Sequence, residues 1–201
     1  MTDLSTWAGR IAGLITLAAF FPYLLATVRR KARPNRATWW IWTVVGLMLA
    51  ASYHSSGARN TLWVAASYVL GPLVTALLAF KYGEGGWTRF DRGCLGGAAL
   101  SALLWWWFNS PQLALLLNLF IDLLGALPTL RKTYLAPEGE DKSAWVLFLI
   151  GNTINLFAVE RWQYSIFIYP VYMFVISGAI TCLLFRPGRT SRLKQRASTL
   201  K

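Results

Sequence analysis

Four polar side chains that could hold a ligand or a proton fall inside long apolar stretches of the sequence. Asp122 is the only acidic residue well inside such a stretch, and Asn118 lies one helical turn before it on the same face. Asn152 and Asn155, three residues apart, share a face of another stretch. Ionisable groups are costly in hydrocarbon and tend to face a cavity or a partner. We predict that the four either line a permeation path, with Asp122 as a proton or cation site, or form an interhelical hydrogen-bond clamp without a ligand.

Aromatic residues in other apolar stretches could contribute to the same site. Indole rings can stack on flat or sugar-like solutes, and tyrosines add hydroxyl groups. Trp39 and Trp40 are interpreted as anchors at the membrane interface, where tryptophan is enriched. The substrate-binding residues predicted beside the four polar ones are Trp42, Tyr68, Trp145, Tyr169 and Tyr172.

The sequence offers little for catalysis or for a cofactor. The apolar stretches contain no nucleophile–base pair, which argues against an enzyme. Cys94, Cys182 and the single histidine, His54, have no spacing typical of metal ligands, so no metal site is predicted. No phosphate-binding loop is present either. We predict no cofactor and a small-molecule solute as the ligand.

The composition indicates a protein embedded in a lipid bilayer. Of the 201 residues, 56% are hydrophobic, the mean hydropathy is +0.44, and only 14% are charged, whereas soluble domains have about 25%. The formal charge of +12 could suggest nucleic-acid binding. The basic residues instead occur in short runs between apolar stretches, so we predict no nucleic-acid partner. A homo-oligomer is left open.

Seven apolar stretches predict an all-α membrane protein of seven transmembrane helices. A helix that crosses the bilayer needs about 20 mostly apolar residues. Flanking tryptophans could anchor the shorter stretches at the interface. The predicted spans are Ile11–Val28, Thr38–Tyr53, Leu62–Phe80, Cys94–Phe108, Leu113–Leu130, Ala144–Val159 and Tyr164–Phe185.

The distribution of basic residues predicts the orientation of the chain. With the amino terminus outside, only Arg10, Arg59 and Arg161 of the 20 lysines and arginines fall on the outer side. Basic residues are retained on the cytoplasmic side during insertion. We predict an outer amino terminus and a basic carboxyl tail in the cytoplasm, in the inner membrane.

Several residues of the first half recur 106 positions later in the second half, without a gap. Three helices on each side of an odd linker helix give two units of the same direction, an arrangement that transporters use around a midplane site. The predicted parts are residues 1–81, a linker at 82–110, residues 111–186 and a tail at 187–201. The matched residues are Pro22 with Pro128, Thr27 with Thr133, Trp39 with Trp145, and Trp42 with Phe148.

Two matched prolines are the predicted hinges. Proline inside a helix removes a backbone hydrogen bond and usually bends the helix. Pro22 and Pro128 occupy equal positions in the two units, so we predict paired bends that flank a central path.

The chain resembles the PQ-loop and SWEET-like transporter superfamily. The resemblance rests on the stretch from Phe21-Pro22-Tyr23-Leu24 to Trp39 and its repeat from Leu127-Pro128-Thr129-Leu130 to Trp145. It implies two parallel three-helix bundles joined by a linker helix. Neither proline is followed by the glutamine that names the PQ-loop group. The third helices also lack the asparagine of sugar-carrying SWEET proteins.

The resulting functional hypothesis is a carrier for a small polar or aromatic solute that works by alternating access between the two repeats. The alternative is a ligand-binding receptor or another non-transporting membrane protein on the same fold. Vitamin transporters of the PnuC type and the KDEL receptors resemble this architecture as well, and fold alone does not decide among these functions.

Overall fold

The computed structural model describes residues 2–55, 62–85, 88–107, 111–160, 162 and 164–186. Over these residues the chain is all-helical, without a β-strand and with a single isolated bridge between Asn35 and Glu84. Seven α-helices lie within the described ranges, one for each apolar stretch. They are α1 (Thr2–Val28), α2 (Arg36–Ser55), α3 (Leu62–Tyr82), α4 (Arg89–Trp107), α5 (Pro111–Leu135), α6 (Lys142–Phe157) and α7 (Tyr164–Phe185).

Side-chain caps fix the start of three helices. Asn35 before α2 and Asp141 before α6 each accept a hydrogen bond from the N–H three residues later, at 3.2 and 2.8 Å. Before α4, Thr88 and Asp91 form a capping box in which each side chain accepts from the other residue's N–H. These contacts satisfy N–H groups that have no partner within the helix, so they determine where each helix begins.

Six of the helices form a ring in the order α1, α3, α2, α5, α7, α6, and α6 closes the ring on α1. The remaining helix, α4, packs on the outside against α5, with a smaller contact to α2. Exchanging α1 with α5, α2 with α6 and α3 with α7 leaves this pattern of neighbours unchanged. The third helix of each set therefore packs between the other two, and the two three-helix repeats stay a prediction.

Polar residues at the repeat offset make equivalent contacts. Thr27 and Thr133 are fully buried, and each donates its hydroxyl to the carbonyl four residues earlier at 2.8 Å. The caps Asn35 and Asp141 are also 106 residues apart. Leucine matches mean little in an apolar chain, whereas matched polar contacts are specific. The predicted boundaries of the repeats and the linker stay predictions.

Glycines allow two pairs of ring helices to approach closely. A Cβ atom added to Gly46 on α2 would lie 2.1 Å from the carbonyl oxygen of Tyr68 on α3. A Cβ atom on Gly151 of α6 would lie 2.6 Å from Oγ1 of Thr16 on α1. Small residues of this kind let helix backbones pack at short range in membrane proteins.

The carboxyl ends of α1, α3, α5 and α7 meet the amino ends of α2, α4 and α6 at one end of the bundle. The Arg33 N–H donates to the Gly139 carbonyl at 2.9 Å, and the Arg36 guanidinium donates to the carbonyls of Ala79, Gly83 and Gly85. We call this the basic end, because it carries Arg29, Arg30, Lys31, Arg33, Arg36, Lys81, Arg89, Arg92, Arg131, Lys132, Lys142 and Arg186. Arg59, Arg161 and the tail at 187–201 lie outside the described residues.

Two helices are long and apolar enough to cross a membrane by length and composition, over Leu4–Val28 and Ile166–Phe185. Within the described residues, Ser67–Tyr82 is a shorter apolar helix. The described residues therefore form a helical protein in which two helices could span a membrane. The seven-span arrangement remains a proposal.

Candidate functional site

A cavity lies at the centre of the ring, and every ring helix contributes to its wall. Its volume is about 30 Å³, and a water molecule needs about 10–15 Å³ of such space. Four non-aromatic apolar residues from α2, α3 and α7 line part of the cavity. These are Gly46, Pro72, Met173 and Ile176.

Aromatic rings form a large part of the cavity wall. Trp42 on α2 and Trp145 on α6 have ring centroids 6.2 Å apart at an interplanar angle of 62°. Phe20 and Phe148 meet edge to face at 4.8 Å, and Trp39 meets Trp42 at 5.2 Å and 90°. Such edge-to-face pairs hold aromatic rings in defined positions. Aromatic rings from α1, α2 and α6 therefore contact one another in the cavity wall.

A short chain of hydrogen bonds forms the polar part of the wall. The Tyr68 hydroxyl donates to Oδ1 of Asn152 at 2.8 Å, and the Asn152 amide donates to Oγ of Ser177 at 3.3 Å. The Ser177 hydroxyl in turn donates to the Met173 carbonyl at 2.7 Å. Each of the three side chains is thus engaged with another protein group. This chain of hydrogen bonds joins α3, α6 and α7.

The Asp122 carboxylate is the acidic group of the cavity wall. The side chain is 2% exposed, and its Oδ2 atom is buried without a hydrogen-bond partner. The Trp42 indole N–H donates to the backbone carbonyl of Asp122 at 3.3 Å. Polar groups of Trp42, Tyr169 and Tyr172 lie beside the carboxylate. A buried polar atom without a partner is costly, and its position in the cavity wall makes Oδ2 of Asp122 the candidate contact for a ligand.

The structure brings six of the nine predicted substrate-binding residues to the cavity. Asn118 and Asn155 are buried, but they do not line it. The carboxyl end of α5 and the amino end of α6 lie at the basic end. Asn118 is therefore about one turn, or roughly 5 Å, farther from that end than Asp122, and Asn155 is equally farther than Asn152. Tyr172 lies beside Asp122 but outside the wall. The six that line it are Trp42, Tyr68, Asp122, Trp145, Asn152 and Tyr169.

Sequence reasoning missed part of the wall. Trp39 was interpreted as an interface anchor, and this is wrong, because its side chain is 1% exposed and lines the cavity. The repeat held the signal, since Trp39 matches Trp145 and Phe148 matches Trp42 at the offset of 106 residues. Phe20 and Ser177 have no comparable signal in the sequence.

Buried polar contacts connect the cavity wall to the basic end. Glu140 forms an ion pair with Lys132, and the exposed fractions of the two side chains are 0% and 9%. Oε2 of Glu140 accepts a hydrogen bond from the indole N–H of Trp145 at 2.9 Å. The Lys132 amine also donates to the Gly139 carbonyl at 3.2 Å. A loop carboxylate is therefore connected directly to a ring of the cavity wall.

Helices α1 and α5 continue through the two predicted hinges. Pro22 and Pro128 lack the N–H that would bond the carbonyls of Ala18 and Leu124, so each helix has one freed carbonyl at a matched position. Motion at these positions stays a prediction.

No protein-family model, curated protein or solved structure matches this chain. Within the described residues, no group of three or more His, Cys, Asp or Glu side chains could hold a metal ion. The cavity geometry therefore carries the functional argument.

Proposed function

We propose that the protein is a membrane carrier that moves a small solute through the central cavity by alternating access. The observation that carries this proposal is that all six ring helices enclose one cavity whose wall combines aromatic rings with a buried carboxylate. A site at the interface of two repeats is where rocking of one half against the other exposes a ligand first to one side and then to the other.

The distribution of polarity supports a seven-span membrane protein. Large apolar side chains point outward on every helix, with Phe21 on α1 73% exposed and Leu103 on α4 61% exposed. Polar side chains such as Thr16 and Asn152 are buried at 0% and 1%. A soluble protein would have the opposite arrangement, and contiguous exposed apolar surface indicates a membrane or a partner. The basic end then faces the cytoplasm of the inner membrane, and the amino terminus faces outside.

Contacts at the basic end and two prolines inside helices support a mechanism of alternating access. Lys132, Glu140 and Trp145 close the basic end, so opening there requires that these contacts separate. Pro22 and Pro128 supply matched weak points in α1 and α5 at which the helix ends could move. The resemblance to PQ-loop and SWEET-like transporters fits the same mechanism.

Sided labelling of a cysteine placed in the cavity wall tests the carrier without knowledge of its substrate. In a Cys94→Ala/Cys182→Ala background, Ser177→Cys replaces a hydroxyl that is 2% exposed and lines the cavity. We expect a membrane-impermeant methanethiosulfonate to label this cysteine from either side of oriented vesicles, because the cavity opens to each side in turn.

Leu103→Cys on the outer surface of α4 is the matched control, and we expect no labelling from either aqueous side. Labelling of Ser177→Cys from one side only would favour the ligand-binding receptor. Absence of labelling from both sides, in a protein that melts like the background, would refute alternating access at this cavity.

A further inference from the structure

The polar part of the cavity wall has little open hydrogen-bonding capacity. The polar chain of Tyr68, Asn152 and Ser177 is engaged internally, as described above. Oδ2 of Asp122, the hydroxyl of the neighbouring Tyr172 and the indole Nε1 of Trp39 are buried without hydrogen-bond partners. An ionised carboxylate only accepts hydrogen bonds, whereas a hydroxyl both donates and accepts and an indole N–H only donates. A ligand that binds to Oδ2 of Asp122 must therefore bring a donor.

No basic side chain of the described residues lines the cavity to neutralise Asp122. The basic residues on the same helix, Arg131 and Lys132, follow nine and ten positions later, roughly 14 Å along the axis. Lys132 is paired with Glu140. A ligand that brings a positive charge would compensate the carboxylate, whereas an anion would be repelled by it.

The aromatic walls favour the same kind of ligand. The rings of Trp42 and Trp145 are in contact, with their centroids 6.2 Å apart, and Trp39, Phe20 and Phe148 also line the cavity. A cation near the face of an aromatic ring is attracted by the ring quadrupole, most strongly by tryptophan. A sugar would require several free donors and acceptors, and most polar groups of this wall are already paired.

From these observations we infer that the cavity binds a small organic ammonium ion, with its N–H groups on Asp122 and its apolar part against the aromatic rings. This inference rests on the proposed carrier function and names its substrate class. It assigns distinct roles to the two parts of the wall. The carboxylate selects a ligand with a positive charge, and the aromatic rings select a ligand with a compact apolar part.

The test compares propylammonium with n-propanol, which has the same number of heavy atoms and no charge. Thermal unfolding of the purified full-length protein in detergent is measured against the concentration of each probe. We expect propylammonium to raise the Tm and to bind at least about tenfold more tightly than n-propanol, because a charge-assisted hydrogen bond is stronger than a neutral one. Methylammonium should bind more weakly than propylammonium, because it buries less apolar surface.

Two variants assign the binding to Asp122. Asp122→Asn keeps the shape of the side chain and removes its charge, and we expect it to lose the shift in Tm caused by propylammonium. Glu138→Gln removes an exposed carboxylate from the basic end, and we expect it to keep the full shift. The comparison of the two probes on the unmodified protein needs no variant, so it stands even if Asp122→Asn does not fold.

Equal affinity for the two probes, absence of any shift with propylammonium, or an undiminished shift in Asp122→Asn would each overturn the inference. The last outcome would leave a proton as the partner of the carboxylate. Sided labelling of Ser177→Cys in the same preparation separates the two proposals. Labelling from both sides without propylammonium binding refutes the ligand class alone, and binding with labelling from one side refutes the carrier alone.

Discussion

Lys132→Met is expected to lower the free energy of unfolding by about 3 to 5 kcal/mol, because it leaves Glu140 as a buried charge without a partner. The Glu140 side chain is 0% exposed, and that of Lys132 is 9% exposed, so solvent cannot replace the lost ammonium group. Methionine preserves most of the apolar length of lysine, which limits the loss of packing. Unfolding in mixed micelles with increasing denaturing detergent measures the difference.

The double variant Lys132→Met/Glu140→Gln separates this electrostatic effect from a loss of packing. Glutamine keeps an oxygen that can accept from the indole of Trp145, and it carries no charge. We expect the double variant to regain most of the stability lost by Lys132→Met. If the effects of the two substitutions simply add, the ion pair is not the cause of the loss.

Gly46→Ala is expected to destabilise the protein by about 1 to 3 kcal/mol, because the new methyl group would lie 2.1 Å from the Tyr68 carbonyl oxygen. The obstacle is backbone, so relief requires that α2 and α3 move apart. Tyr68 and Gly46 both line the cavity, and the displacement should also weaken the hydrogen bond from Tyr68 to Asn152. The fall in Tm of the purified protein measures the effect.

Gly96→Ala is the matched control, since a Cβ atom at this position of α4 meets no atom within 4 Å. Alanine is favoured over glycine within a helix by roughly 0.5 to 1 kcal/mol, so this substitution should raise stability slightly. Opposite signs at the two glycines would support close packing of α2 on α3. A loss of similar size at both would contradict it.

The sequence was sufficient to predict the number of helices and their approximate positions, but not their ends. Apolar residues mark the part of a helix suited to hydrocarbon, which is shorter than the helix itself. Thus α1 begins at Thr2 rather than Ile11, and α5 continues through Arg131 and Lys132 to Leu135. Polar residues do not end a helix, whereas a capping residue such as Asp141 determines where a helix begins.

The prediction of the cavity wall was incomplete, because residue type does not reveal how a helix is rotated about its axis. An anchoring tryptophan and a lining tryptophan are indistinguishable until the order of the ring helices is known. Trp39 and Trp42 differ by three positions and both face inward, which only the packing of α2 between α3 and α5 explains. Spacing placed Asn118 on the face of Asp122, but it could not say where along that face the cavity ends.

The two halves of the ring share the same order of helices, yet among the described residues only the second half contributes an acidic side chain to the cavity wall. Thr16 of the first repeat stands at the position of Asp122 in the second. An ammonium ion held in this cavity would therefore have one preferred pose, with its head group toward α5 and its tail toward Phe20 of α1. The arrangement of the ring helices is nearly symmetrical, but the bound ion is not. The ion would therefore keep the same orientation relative to the helices when the cavity opens to either face of the membrane.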